Sequence, residues 1–200
     1  MTSLRERKKA ETRQRIADVA TVLFVERGFD NVPITEIAEA AGVSKVTVFN
    51  YFPRKEDIFF DRGPQAEQLL TGAVRDRGAG VTPLGALRAL LVDLAREGHP
   101  IGGFQDRYRM FWRTVLDSPA LRARAREAVD ELQDALARAI AESSTDPHPE
   151  LTAALAMAVS RTTFTAGATR VLAGERAAAV TEDHIAAIEA AFDTLAEGPR

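Results

Sequence analysis

The 200-residue sequence contains no cysteine, which excludes disulfides, thiolate metal sites and thiol-based sensors. It also lacks any apolar run that approaches the roughly 18 residues of a membrane-spanning helix. The basic N-terminus, MTSLRERKKAE, is not followed by the apolar stretch of a signal peptide. The three histidines, His99, His148 and His184, are too far apart in sequence to suggest a metal site. These absences favour a cytoplasmic protein with no membrane partner, metal or cofactor.

Charge is distributed unevenly along the chain, although the net charge is only −3. The first 15 residues carry six basic and two acidic side chains, whereas residues 63–200 carry 15 basic and 19 acidic ones. Affinity for DNA comes largely from Lys and Arg on phosphates, so a net negative charge disfavours DNA binding. The basic N-terminus weakens this objection to DNA binding. The alternative interpretation of the basic segment is a solvated tail.

Helical periodicity runs through almost the entire sequence, and strand patterns are absent. Apolar residues at positions 16, 19, 20, 23 and 24 share one face of a helix predicted from about Lys8 to Arg27, which Gly28 ends. Two shorter helices follow, and then a helix from about Arg54 that Gly63-Pro64 should kink or break. The remaining helices are predicted at residues 65–77, 84–97, 104–117, 119–143, 149–173 and 181–196. The sequence therefore predicts an all-α protein with a domain boundary near residue 62.

The segment PITEIAEAAGVSKVTVFNYF (Pro33–Phe52) has the pattern of a helix-turn-helix. The small Ala38 permits two helices to approach closely, and Gly42 permits a left-handed turn between them. Val43 and Val48 are spaced to bury against the first of the two helices, and Ser44 is placed to cap the second. The alternative is an ordinary helical hairpin within a core.

In a helix-turn-helix the second helix lies in the major groove of DNA. The residues predicted to face the groove are Lys45, Val46, Thr47, Asn50 and Tyr51. Lysine can reach guanine acceptors and asparagine can pair with adenine, while the methyl groups of Val46 and Thr47 can contact thymine methyl groups. This segment is therefore the strongest functional candidate in the sequence.

The segment and its neighbours resemble the DNA-binding domain of the TetR family of bacterial regulators. The matching pieces are ETRQRIADVATVLFVERGFD (Glu11–Asp30), ITEIAEAAGVS (Ile34–Ser44), TVFNYF (Thr47–Phe52) and KEDIF (Lys55–Phe59), in the family's order and with its gaps. The resemblance covers roughly residues 9–60. It implies nine or ten helices, in which a three-helix DNA-binding head (residues 1–62) precedes a larger helical ligand-binding and dimerisation body (residues 63–200).

The resemblance also assigns DNA contacts by position. Tyr51 matches an aromatic residue or histidine that commonly contacts phosphate, and Lys55 matches a lysine that contacts the DNA backbone at the start of helix 4. Thr35 lies in the first turn of helix 2, which is another usual phosphate contact, and Arg13 is a weaker candidate. The predicted DNA-binding residues are Thr35, Ser44, Lys45, Val46, Thr47, Asn50, Tyr51 and Lys55.

Three positions depart from the family's pattern. Val46 stands where many members have glycine, and Phe49 stands where many have tyrosine. Without that hydroxyl group, Phe49 is interpreted as a packing residue. Helix 2 begins after Val32-Pro33 rather than after threonine or serine, so its cap is left to Asn31 or Thr35.

The resemblance implies that two long helices of the body, at residues 119–143 and 149–173, pair with their copies in a four-helix dimer interface, and each of them carries an apolar stripe. The predicted interface residues are Leu121, Ala128, Leu132, Leu136, Leu155, Ala158, Thr162 and Ala166. A homodimer is favoured because a helix-turn-helix protein reads a palindrome with two heads roughly 34 Å apart. The alternative is that both stripes pack within one chain.

An aromatic-rich stretch, FQDRYRMFWRTVL (Phe104–Leu116), is the best candidate for lining a ligand pocket in the body. The predicted lining residues are Phe104, Tyr108, Met110, Phe111 and Trp112. Aromatic residues at helical spacing also occur in ordinary cores, which is the alternative here.

No phosphate-binding loop, nucleophile motif or carboxylate pair stands out, so the sequence argues against an enzyme. It predicts a ligand-responsive repressor that binds a palindromic DNA operator as a homodimer and releases it when an unknown small-molecule effector binds. The alternative is a helical ligand-binding or adaptor protein that no longer binds DNA.

Overall fold

The computed structural model describes residues 4–197 and forms ten α-helices over that range, with no strand. These are α1 (Leu4–Arg27), α2 (Ile34–Ala40), α3 (Lys45–Tyr51), α4 (Lys55–Phe59), α5 (Gly63–Arg75), α6 (Pro83–Arg96), α7 (Arg109–Asp117), α8 (Pro119–Ser143), α9 (Pro149–Leu172) and α10 (Ala177–Glu197). The predicted all-α class and helix number are confirmed. Within residues 4–197, none of the helices combines the length and apolar character that crossing a bilayer requires.

Two helix starts in the second half of the chain differ from the prediction by about one turn. The helix predicted from residue 104 begins as an α-helix only at Arg109, after a 3₁₀ turn at Asp106–Tyr108. A Cβ atom added to Gly103 would lie 2.6 Å from the Leu94 carbonyl oxygen, so the chain is held in a tight turn before the helix starts. The last helix begins earlier than predicted, at Ala177, whose backbone N–H donates to the Asp106 carboxylate over 3.0 Å.

The chain divides into two compact units. The first comprises the chain up to Asp61 together with Arg113–Arg126, and the second comprises Arg62–Trp112 and the chain from Glu127 onwards. Helices α7 and α8 therefore each contribute residues to both units. The division into functional domains at residue 62 stays a prediction, and residues 1–3 and 198–200 lie outside the described range.

The core of the first unit is built around the inner face of α1. Ile16, Ala20 and Phe24 on this face are fully buried. The Phe24 ring lies 4.8 Å from the ring of Phe29 and 5.8 Å from the ring of Phe59. Because truncating a buried phenylalanine costs about 3–5 kcal/mol, this aromatic group is a major source of the unit's stability.

The second unit buries apolar side chains from α5, α6, α8, α9 and α10 in one cluster. Its members include Leu70, Val74, Leu87, Leu91, Val92, Leu136, Ile140, Ala156, Met157, Ile188 and Phe192. A smaller cluster contains Phe104, Val171, Ala177 and Val180.

Candidate DNA-binding surface

The turn between α2 and α3 has the geometry that the sequence predicts. Gly42 adopts a left-handed conformation with φ of 64°, and the Val43 N–H donates to the Ala38 carbonyl over 2.9 Å. These features are typical of a glycine-terminated helix C-terminus. Ile37 on α2 and Val48 on α3 are both fully buried, which fixes the two helices against the core.

The two helices of the motif begin in different ways. The Thr47 N–H donates to the Ser44 hydroxyl over 3.0 Å, so Ser44 caps α3 as predicted. Pro33 precedes α2, which has no side-chain cap. The Asn31 side chain donates instead to the Arg27 carbonyl at the end of α1, over 2.9 Å. Thr35 is exposed in the first turn of α2.

The outer face of α3 carries the predicted base-reading residues. Lys45 and Asn50 are exposed, Thr47 and Tyr51 are half-buried, and Val46 is 69% exposed. This small surface therefore combines a cation, an amide and an apolar side chain, which are the groups that recognise base edges.

Phe49 corrects the prediction that it is a packing residue. Its side chain is 41% exposed, and its ring lies 5.9 Å from the Lys45 ammonium nitrogen. Val48 is the buried residue of this short helix, and the next position along the chain points away from the core. Phe49 therefore belongs to the exposed surface of α3.

Lys55 is placed differently from the prediction of an outward phosphate contact. Its ammonium group donates to the Phe29 carbonyl and lies 4.3 Å from the Phe29 ring centre. Burial lowers the pKa of Lys55 below its ordinary value, although Asp30 and Glu56 oppose this shift. The side chain thus secures the connection between α1 and α2, and a contact with DNA stays a prediction that requires it to leave this position.

Two arginines of α1 hold the helix-turn-helix in place, and sequence reasoning missed this role. The Arg13 guanidinium donates to the Tyr51 carbonyl over 3.0 Å and to the Asp61 carbonyl over 3.2 Å. It also lies 4.1 Å from the centre of the Phe52 ring. Arg15 donates to the Ala41 carbonyl over 3.1 Å. Arg13 is therefore a positioning residue for α3 rather than the phosphate contact considered from sequence.

A second missed feature attaches the α8 start to this unit. Arg124 Nε lies 2.7 Å from a carboxylate oxygen of Asp57 on α4, and the other oxygen accepts from the Arg54 N–H over 3.2 Å. The Ser118 hydroxyl lies 3.4 Å from the Asp30 carboxylate. No local sequence signal relates positions 57 and 124, because the pairing depends on tertiary structure.

Residues 16–61 match the family profile described as bacterial regulatory proteins, tetR family. The match contains α2, the Gly42 turn, α3 and α4, which form the surface described above. This segment of the chain belongs to the TetR family. The predicted resemblance is confirmed, and residues 16–61 are its helix-turn-helix domain.

Similarity to known proteins extends beyond this domain. The HTH-type transcriptional regulator TcmR of Streptomyces glaucescens is 32% identical over 142 residues, which cover 69% of this chain and 62% of TcmR. The chain therefore spans less than two thirds of that relative's length. The structure of Thermus thermophilus FadR, a TetR-family transcriptional repressor in complex with lauroyl-CoA, is 28% identical with a TM-score of 0.55 and covers 94% of this chain and 95% of FadR.

A third comparison shows the fold alone. NalD of Pseudomonas aeruginosa, the secondary repressor of the MexAB-OprM multidrug efflux pump, is 18% identical with a TM-score of 0.59. The similarity covers 94% of this chain and 96% of NalD. The TetR-family fold thus extends over nearly all of this chain.

Two of the predicted pocket residues, Phe104 and Trp112, pack against aromatic side chains of α9 and α10. The Phe164 ring lies 5.0 Å from the rings of both Phe104 and Trp112, and His184 lies 4.8 Å from Phe104. Phe104 is buried and Phe111 is half-buried, while Met110 is 47% exposed. These contacts resemble an ordinary core, and a ligand would have to separate the rings.

Two cavities in the second unit lie apart from this aromatic cluster. A cavity of about 810 Å³ is lined by the α5–α6 loop, the α8–α9 loop and the end of α10. A second cavity of about 460 Å³ is lined by residues that include His99, Gln105, Arg107 and Tyr108. Tyr108 is the one predicted pocket residue that lines either of these two cavities.

The predicted dimer residues fall into two groups. Leu155, Ala158, Thr162 and Ala166 form an exposed stripe on α9. Leu121 and Leu136 are fully buried within one chain, so they cannot contact a second copy, which corrects their assignment. Ala128 and Leu132 are half-buried on α8.

Proposed function

We propose that this chain is a transcriptional regulator in the cytoplasm that binds a palindromic DNA operator as a homodimer. The observation that carries the proposal is the outer face of α3, where Lys45, Val46 and Asn50 are exposed on a helix capped by Ser44. A helix held in this way by α2 has the arrangement that enters the major groove. The family membership and the TcmR similarity support the same function.

The proposed homodimer uses the exposed stripe of α9. Leu151 is 56% exposed and Leu155 is 37% exposed, and the small residues Ala158, Thr162 and Ala166 continue the stripe. The small side chains permit a second helix to approach closely, and the leucines offer apolar surface to it. Two copies paired in this way would present two α3 helices to a palindrome, as reading such a site requires.

The proposed regulation is repression that a small-molecule effector relieves by binding to the second unit. FadR, which has a similar fold, is a repressor whose structure contains lauroyl-CoA. Helix α7 runs from the second unit into the first, and α8 runs from the first unit, where its Arg124 is paired with Asp57, into the second. An effector that shifts these helices would favour a conformation with poor operator affinity, and it needs only a few kcal/mol of differential binding.

Two assays test the proposed function. The first is a gel-shift titration with the DNA upstream of the chain's own gene, and the second is selection of bound sequences from random duplexes. We expect sequence-selective binding that weakens with salt, and its loss in the Lys45→Ala, Asn50→Ala variant. The matched control is Arg96→Ala, Gln68→Ala, which removes one cation and one amide from exposed positions of the second unit. Absence of selective binding in both assays would favour the alternative, a helical ligand-binding or adaptor protein. The inward position of Lys55 and the net charge of −3 are the observations that favour this alternative.

A further inference from the structure

We propose that the first turns of α1 form a second phosphate-binding surface, through Arg5 and Lys9, beside the end of α3. This proposal rests on the DNA binding proposed above and adds a contact that the helix-turn-helix itself does not supply. Its partner is the sugar–phosphate backbone of duplex DNA, which is recognised by charge and not by sequence.

The register of α1 places these side chains. Helix α1 begins at Leu4, about one turn before the predicted start, so the basic segment is helical. Residues 5, 9 and 13 are four apart and therefore lie along one side of the helix. Arg13 on this side donates to the carbonyl of Tyr51, the last residue of α3. Lys9 lies about 6 Å and Arg5 about 12 Å further along the α1 axis.

Most of the positive charge on these turns is not paired within residues 4–197. Arg5, Lys8 and Lys9 are exposed, and the part of the chain that the structure describes contains no ion pair for them. Arg7 differs, because it lies 3.8 Å from Glu11 in an exposed pair. Cations near a helix N-terminus are disfavoured by the partial positive charge of the helix end. A polyanion bound along this side would offset that cost.

The location of the charge favours DNA over another polyanion. The basic turns belong to the same unit as α3 and adjoin Tyr51, which is itself a predicted phosphate contact. The remainder of the chain, from residue 63, has four more acidic than basic side chains and would repel DNA. A duplex that contacts α3 would therefore meet the cations of α1 at its backbone.

The test measures how the affinity for a fluorescent duplex depends on salt between about 50 and 200 mM. A plot of log K against log salt has a negative slope, and the magnitude of this slope falls by about 0.9 for each phosphate contact that is lost. We expect Lys9→Gln to reduce the magnitude of the slope by about that amount for each subunit bound. The double variant Arg5→Gln, Lys9→Gln should reduce the magnitude by up to twice as much. The matched control, Arg7→Gln, removes one charge from the opposite side of the same turns and should leave the slope unchanged.

Lys9→Arg keeps the charge and should restore the wild-type slope, and circular dichroism checks that each variant keeps its helix content. A wild-type slope in the Arg5→Gln, Lys9→Gln variant would overturn the proposal. An equal decrease in Arg7→Gln would also overturn it, since the effect would then follow overall charge. In both cases selective binding through α3 would persist, so the proposed function would stand. If the wild-type chain binds no duplex, both proposals fail.

Discussion

The Arg124 guanidinium of α8 lies 2.7 Å from the Asp57 carboxylate of α4, and the two side chains are only 14% and 20% exposed. Asp57 also accepts the Arg54 N–H at the start of α4. One carboxylate thus joins a helix beside the recognition surface to a helix that continues into the other unit. This ion pair and the contact between Ser118 and Asp30 link residues 113–126 to the rest of the first unit.

We expect Arg124→Ala to lower the free energy of unfolding by about 2 kcal/mol, between the values typical of exposed and of buried ion pairs. Urea unfolding of Arg124→Ala, Asp57→Ala and the double variant isolates the coupling between the two residues. Arg96→Ala, which breaks an exposed pair with Asp93, is the control and should change stability little. A coupling near zero would contradict the link.

Arg13→Ala should destabilise the first unit by about 2 kcal/mol, because a charged donor to two backbone carbonyls is lost. Arg15→Ala removes one carbonyl contact and should cost about half as much. Thermal unfolding measures both effects, and gel shifts should show weaker selective binding by Arg13→Ala because the end of α3 is no longer held. A variant as stable and as selective as the wild type would refute this positioning role.

Val46 should read thymine methyl groups. Replacing a contacted thymine in the operator by deoxyuridine removes one methyl group and should weaken wild-type binding about fourfold, the equivalent of about 0.8 kcal/mol. Val46→Ala should bind both duplexes equally well. Val22→Ala is the control, because it makes the same change at a valine on α1 that is also exposed. If Val46→Ala still binds the thymine duplex more tightly than the deoxyuridine duplex at every thymine tested, another side chain contacts the methyl group and this role of Val46 is wrong.

His184 should make stability depend on pH in mildly acidic solution. It is 4% exposed, and burial lowers the pKa of its imidazole below the ordinary 6.5, although the Gly102 and Thr163 backbone groups oppose the shift. Between the lowered pKa and 6.5 the unfolded chain binds a proton that the folded chain does not, so the free energy of unfolding rises as pH rises through this window.

His184→Gln should therefore show a smaller loss of stability than the wild type when the pH falls from about 7.5 to about 5 in urea unfolding. His148→Gln removes an exposed histidine and should keep the wild-type pH dependence. Identical pH profiles for wild type and His184→Gln would exclude this origin.

Local sequence patterns were sufficient for the helix-turn-helix. A left-handed turn needs glycine, and Gly42 supplies it at the position where two amphipathic patterns meet. Ser44 caps the following helix within three residues, and Ile37 and Val48 follow the helical period into the core. Each of these features depends on residues only a few positions apart, so the pattern itself contains the information.

Only the tertiary structure decided which side chains of that motif are available and what holds it in place. Lys55 turns inward because the Phe29 carbonyl and ring lie beside it, and Phe49 is 41% exposed on a helix whose buried residue is Val48. Arg13 and Arg124 find their partners 38 and 67 positions away. Such contacts arise when helices pack together, and no local periodicity records them, so the sequence identified the motif while the fold selected its working surface.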